Sequence, residues 1–378
     1  LCEAVCREAY GAQTETISGQ GFLEYLQTAN LFLIALDENR HWFRFHHLFQ
    51  NLLQMELSRQ MDAVTIAALN MRASHWFEEN GLIEEAIQSA QKAGDSEAAA
   101  DILERHRLDE LEKLNFHVIA RWLEVLGPIP AGRPGLQLAE AFVAVDRFDV
   151  PRLAVILEEV APAIEENSDC MNLMGELRFL QGVLAFRMGD GETSQKMLQE
   201  AHQRFQNSEK GGIAGNAAFQ EALSLNLCGR GDEVLVQFDD RAHRAATGNP
   251  YYHCSLIMGL IIVSFFQGDL TRVANHAMQL KTFAQAVGSE FLAHGFSIYF
   301  QGCSQLCRGN FGAAVRHFDT LARQQYNIVR HRAFDSMAAL AMCRQFLQQE
   351  RAAVGALMDM QTFARKLNDA NGLKIARS

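Results

Sequence analysis

The spacing of apolar residues changes character along this chain. Leu31 to Leu36 is an apolar run of strand length and composition. Asp37-Glu38-Asn39-Arg40 follows as a polar turn, and Trp42-Phe43-Arg44-Phe45 alternates as a half-buried strand would. From His46 the period becomes helical, with Leu48, Phe49, Leu52, Leu53 and Met55 marking one face. An apolar helix at Phe22–Leu26 precedes the hairpin. The order helix, hairpin, helix is the local architecture of a winged-helix module.

From Thr65 onward the pattern is helical throughout. Ile66, Leu69, Ala73, Trp76 and Phe77 make one apolar face, closed by Asn80-Gly81. Ile83, Ala86, Ile87 and Ala90 make the next, closed by Gly94. Asp95-Ser96 then supplies a cap for a helix burying Ala98, Ile102 and Leu103. Pro128-Ile129-Pro130 and Gly132-Arg133-Pro134-Gly135 interrupt the chain and suggest a domain boundary. Beyond it a small polar turn recurs between helices. It is seen at Asp146–Asp149, Met188–Gly191, Gly229–Asp232, Gln267–Asp269, Arg308–Asn310 and Gln348–Glu350. Gly189 to Gly231 is 42 residues, Gly231 to Gly268 is 37, and Gly268 to Gly309 is 41. Two helices per unit of about 40 residues read as a solenoid of the tetratricopeptide type, with longer units than the usual 34. Asn207–Gly215 reads as a glycine-rich connector, since no Lys-Ser/Thr pair follows to make a phosphate loop.

The expected fold is therefore mainly all-α. It comprises a partial winged-helix module with one β-hairpin over residues 1–60, a helical arm over 61–131, and a repeat domain over 132–378. Residues 135–378 are expected to form a right-handed superhelix of paired antiparallel helices. The hairpin near 31–45 should be the only β-structure.

Composition narrows the function classes. The formal net charge is −11 over 378 residues, which disfavours direct contact with nucleic-acid phosphates. No secretory leader and no 18-residue apolar run is visible, so a cytoplasmic protein that does not enter a membrane is expected. Eight cysteines include no Cys-x-x-Cys pair and join no paired histidines, so they read as buried thiols, with no metal site expected. No G-x-S-x-G, H-E-x-x-H, Walker-type or dinucleotide loop occurs. No catalytic residue is therefore nominated, and the chain is not expected to be an enzyme.

The stretch Asn30-Leu31-Phe32, Leu36-Asp37 and Trp42-Phe43-Arg44-Phe45-His46-His47-Leu48-Phe49 resembles the large ATP-dependent LuxR-type (MalT-like) transcriptional regulators of the STAND class. Arg72–Phe77, Gly81, Glu85-Ala86-Ile87, Ala93-Gly94-Asp95, Arg121-Trp122-Leu123 and Arg133–Leu136 continue it, to about residue 145. Members of that family carry a nucleotide-binding domain before this region and a DNA-binding helix-turn-helix far beyond it. The resemblance thus implies a piece of a longer regulator, whose upstream ATPase domain and downstream DNA-binding domain would be its partners. ATP or ADP is implied for that parent, and no cofactor for this chain. A small-molecule effector or a regulatory protein is the implied signal, with effector-driven self-association as a further implication. A freestanding helical-repeat scaffold for protein partners is the alternative reading.

Candidate residues fall in two groups. In the wider ATPase class a winged-helix histidine can contact the nucleotide phosphate, which singles out His46, with Arg44 beside it. A helix N-terminus already favours an anion, and an imidazole adds a donor. The plainer alternative is that His46 and His47 cap and pack at the hairpin–helix junction and that Arg44 faces solvent. The second group is Tyr251, Tyr252 and His253, with His294, Phe296, Tyr299 and Phe300. They lie on the first helices of successive repeats, where aromatic rings with polar tips suit a sugar, an aromatic effector or a peptide. Packing of repeat against repeat is the competing use of the same rings. His75 and His106 read as structural.

Overall fold

A computed structural model describes residues 5, 19–29, 31, 33–35, 43–205, 211–245, 248–286, 290–324 and 330–366. The chain divides into two compact units, residues 1–149 and 150–378.

The first unit begins with α1 (Gly19–Thr28), β1 (Leu33–Ala35), β2 (Phe43–Phe45) and α2 (His47–Gln60). The strands pair antiparallel, Leu33 with Phe45, Ile34 with Arg44 and Ala35 with Phe43, and are the only strands among the described residues. Alternation is as expected, since Phe43 and Phe45 are half-buried and Arg44 is exposed. The turn Asp37–Arg40 and Trp42 lie outside the described residues. Phe45 meets Phe49 edge-on at 5.5 Å, tying the hairpin to the helix that follows.

Helices α3 (Ala63–Glu79), α4 (Ile83–Lys92), α5 (Ser96–Glu112), α6 (Phe116–Leu126) and α7 (Pro134–Asp146) complete the unit. Asp62 caps α3 through the Thr65 amide at 2.7 Å, and Asp95 caps α5 through Ala98 at 2.8 Å. The core holds Ala86, Ile87, Ala90, Ala99, Leu103, Trp122 and Leu136. The buried Ser74 hydroxyl donates to the Ala86 carbonyl at 2.8 Å, closing α3 onto α4. Helix α7 starts on Pro134, whose missing N–H costs nothing at that position. It packs back onto α5 and α6, so this unit runs past the Pro128–Gly135 stretch to Asp149.

The second unit opens with α8 (Val150–Glu165) and a 3-10 turn at Ser168–Leu173. Five helix pairs follow: α9 (Met174–Arg187) with α10 (Gly191–Phe205), α11 (Gly211–Leu227) with α12 (Gly231–Ala245), α13 (Pro250–Phe266) with α14 (Leu270–Ala286), α15 (Glu290–Cys307) with α16 (Phe311–Arg323), and α17 (Arg330–Phe346) with α18 (Glu350–Lys366). The first helix of each pair also touches the first helix of the next. This is the helical-repeat organisation expected from the turns.

Each turn has the same geometry. Gly189, Gly229, Gly268 and Gly309 lie at φ between 75° and 83°, the left-handed region, and Phe148 and Gln348 hold equivalent places at 56° and 59°. At every one the next residue's amide reaches back to the carbonyl five positions earlier, as in Asp190 to Ala185 and Asn310 to Gln305, both 2.9 Å. The third turn is centred on Gly229, while Gly231 opens α12; the repeat is thus more even than the spacing from Gly231 suggested. Residues 211–215 are not a connector. They form the start of α11, where a Cβ on Gly215 would lie 2.7 Å from Ser255 Oγ, so glycine lets α11 approach α13.

Candidate functional site

His46 is the N-cap of α2, with φ −57° and ψ 137°, but its ring makes no capping hydrogen bond. Its imidazole lies 4.3 Å from that of His47, and it is only half-buried. Arg44 projects from the exposed position of β2. Both therefore sit at one edge of the hairpin–helix junction. No residue of α2 is buried, and Leu48, Leu52 and Met55 are 66%, 57% and 66% exposed.

The second candidate group separates on folding. Because α13 and α15 each contact their own partner and the first helices on both sides, most of their faces are interior. His253 is 3% exposed, its ring tilted against that of Phe283 at 4.3 Å, and burial holds its pKa below the usual value. Phe300, also 3% exposed, packs on Phe265 and Phe296 at 5.5 and 4.7 Å. Tyr299 meets Phe318 at 5.9 Å, and burial raises its hydroxyl pKa. A cation already occupies these rings: the Arg332 guanidinium lies 5.0 Å from Phe296, 4.8 Å from Tyr299 and 5.4 Å from Phe300. His294 is half-buried, with Nδ1 enclosed and unpaired. His253, Tyr299 and Phe300 thus form packing between repeats and share no cavity with Tyr252.

Tyr252 is different. It lines an open cleft of about 610 Å³ with His202, Arg241, Arg244, Gly248 and Asn249. Asn249 caps α13, its Oδ1 accepting from the Tyr251 and Tyr252 amides at 2.9 and 3.4 Å. Arg241 organises the site. It donates to Glu221 at 3.1 Å, to the Tyr252 hydroxyl at 3.1 Å and to His202 Nε2 at 3.3 Å, and lies 4.5 Å over the Phe238 ring. Burial works against the guanidinium charge, but Glu221 and the bonds to Tyr252 and Glu221 outweigh it, and its pKa rises. His202 is driven the other way, to about 4, by burial and by the charge of Arg241. An arginine only donates, so Nε2 of this neutral imidazole accepts and Nδ1 carries the proton.

Aromatic content pointed to Tyr252 alone among these residues. His202 and Arg241 stand 39 residues apart, one repeat unit, on successive second helices. That recurrence is the signal that could have found them.

In the first unit, Glu78 binds Arg105 at 2.8 Å and His106 Nε2 at 2.9 Å. Burial would raise the Glu78 pKa, but the bonds from Arg105 and His106 lower it. His106 thus anchors α5 to α3, the structural use expected of it. Burial also pushes the thiols of Cys254 and Cys303 up to about 11 and about 12. No described helix is long and apolar enough to cross a membrane.

These features coincide with relationships to known proteins. Residues 1–64 match the family model of the MalT winged helix domain. A solved STAND protein (signal transduction ATPase with numerous domains) with a tetratricopeptide repeat sensor, from Pyrococcus horikoshii, superposes with a TM-score of 0.56 at 14% identity. The match covers 94% of this chain and 53% of that protein, a likeness of fold. The chain thus joins a segment similar to the MalT winged helix domain to a helical-repeat array. In particular, the HTH-type transcriptional regulator MalT of Yersinia pestis is 26% identical over 187 residues, 49% of this chain and 21% of that regulator. Serine/threonine-protein kinase PknK of Mycobacterium tuberculosis is 31% identical over 149 residues, 38% of this chain and 13% of the kinase. The chain thus aligns with only a small part of either relative.

Proposed function

We propose that this chain is the signal-sensing and coupling region of a bacterial, cytoplasmic, ATP-dependent regulator of the MalT-like class. The observation that carries the reading is the joining, in one polypeptide, of a MalT-type winged-helix segment to a helical-repeat array. An inducer or regulatory protein binds the array, and the array passes the change to an ATPase and a DNA-binding domain supplied by the rest of the regulator. Catalysis is not assigned to this chain. The cleft at Tyr252 is the entry point for the signal, since it alone of the expected effector residues combines an opening with polar groups held in place.

At the other end His46 acts as the nucleotide contact. It stands at the N-terminus of α2, where unpaired amides favour an anion, and its ring is not spent on capping. A contact made only in the closed, ADP-bound state stabilises that state, so its loss shifts the population. In the full-length regulator His46→Ala is expected to speed ADP release and raise effector-independent transcription. Loss of one charge-assisted hydrogen bond is worth on the order of 1.5–3 kcal/mol, or roughly tenfold or more. Unchanged ADP release together with unchanged basal transcription would rule out this role.

A further inference from the structure

The Tyr252 cleft carries a charge that the chain as a whole does not share. Formal net charge is −11, yet the cleft is lined by Arg241 and Arg244 and, among the described residues, by no carboxylate. Glu221 stands behind Arg241, its side chain 9% exposed, and takes one of the guanidinium's donors. Tyr252 and His202 take two more, and a guanidinium has five. Nε–H and the second Nη1–H are left over. Arg244 is exposed and makes no ion pair among the described residues. The N-terminus of α13 also borders the cleft, but its first amides are spent: Pro250 has none, Tyr251 and Tyr252 donate to Asn249 Oδ1 and His253 to the Asn249 carbonyl, so the two arginines are the donors left for an anion.

The site is also pre-shaped. Arg241 is held by Glu221, Tyr252 and His202 and rests on Phe238, so a ligand would not have to order it. Each unused N–H can give one charge-assisted hydrogen bond to an oxygen of an acid group, and Arg244 supplies a second cation on the same lining. The Tyr252 ring offers an apolar surface beside it.

We propose that this cleft binds a small organic anion, its carboxylate or phosphate group held by Arg241 and Arg244 and its body lying along Tyr252. The inference rests on reading the cleft as the signal's entry point and adds the chemical class of the signal. Arg244 also lies in the last turn of α12, where a cation complements the helix dipole, so the test must read binding directly.

The test uses the full chain of 378 residues and two probes, inorganic phosphate and succinate, each titrated by calorimetry at ionic strength held constant with sodium chloride. At least one probe is expected to bind saturably; which one binds tells phosphate from carboxylate ligands. Arg244→Gln should weaken that binding by roughly five- to tenfold, with at most a small drop in the ligand-free melting temperature from the lost helix-end cation. Tyr252→Phe keeps the ring and should retain most of the affinity. No heat beyond the sodium chloride control for either probe, or equal affinity in wild type and Arg244→Gln, overturns the proposal. Anion binding in a full-length regulator whose output ignores the cleft would instead remove the sensing role and leave the anion site intact.

Discussion

His202 provides a stability measurement whose size follows from its surroundings. In the folded chain it titrates near 4, against an ordinary 6.5, because it is largely buried and faces the Arg241 charge. The groups around it are Arg241 and Arg244 on α12, Glu221 on α11 and Tyr252 on α13, and the only carboxylate among them is bound to Arg241. Below pH 6.5 the unfolded chain takes up a proton that the folded chain refuses, so stability falls with pH until about 4 and is flat below it. A gap of this size is worth at most about 3.4 kcal/mol at about 1.36 kcal/mol per unit. Partial exposure and solvent screening bring that to roughly 2 kcal/mol. Rather more than half of it should be lost between pH 7.5 and pH 5, on the order of 1 kcal/mol. His202→Gln keeps a neutral acceptor for Arg241 and removes the proton site. Urea unfolding of both proteins at the two pH values should therefore show wild type losing about 1 kcal/mol more than the variant. His253, His276 and His317 are also held low by burial and add the same trend to both proteins, so the difference isolates His202. Equal pH dependence in the two proteins, or a His202 ring resonance titrating above pH 6 by NMR, would refute the reasoning.

Two further outcomes test the repeat geometry. A Cβ on Gly302 would sit 2.7 Å from Phe318 Cε1, and Phe318 is fully buried between helices and has nowhere to swing. Gly302→Ala should therefore lower stability by about 1 kcal/mol net, overpacking of about 1–3 outweighing a helix-propensity gain of about 1, as measured by urea unfolding. Gln348 holds a left-handed turn at φ 59° on the surface, so Gln348→Gly should raise stability by roughly 0.5–1 kcal/mol, read as an upward shift in melting temperature.

The fold was legible where backbone geometry dictates residue type. A left-handed turn strongly favours glycine, so Gly189, Gly229, Gly268 and Gly309 announce the repeat before any packing is known. Phe148 and Gln348 show that the same turn survives without glycine, and there only the flanking helices and the spacing of about 40 residues revealed it. The hairpin was legible because Phe43-Arg44-Phe45 can bury only alternate side chains. The effector residues were less so. Aromatic rings with polar tips mark both a binding surface and an interior interface, and only the number of neighbours decides which. Helix α13 is flanked by α11, α12, α14 and α15, and ten of its seventeen residues are buried, so His253 became core although Tyr252, its neighbour in sequence, lines a cleft.

The placement of Arg241 gives the cleft a means of acting on more than its own lining. The guanidinium sits on α12, its ion pair is to α11, its imidazole acceptor is on α10, and its phenol acceptor begins α13. Four successive helices thus meet at one charged group. In a solenoid each repeat touches only its neighbours, so a small rotation at one junction propagates instead of dissipating through a common core. On the proposed reading, a ligand that draws Arg241 toward the cleft would weaken its hold on Glu221 or Tyr252 and shift the angle between adjacent pairs. A ligand seated at Tyr299 and Phe300 would first have to displace Arg332 from three aromatic faces, giving up cation–π and packing contacts before any gain. The Tyr252 junction is therefore the cheaper place for a signal to enter, and the charge that would receive the signal is the one that ties these helices together.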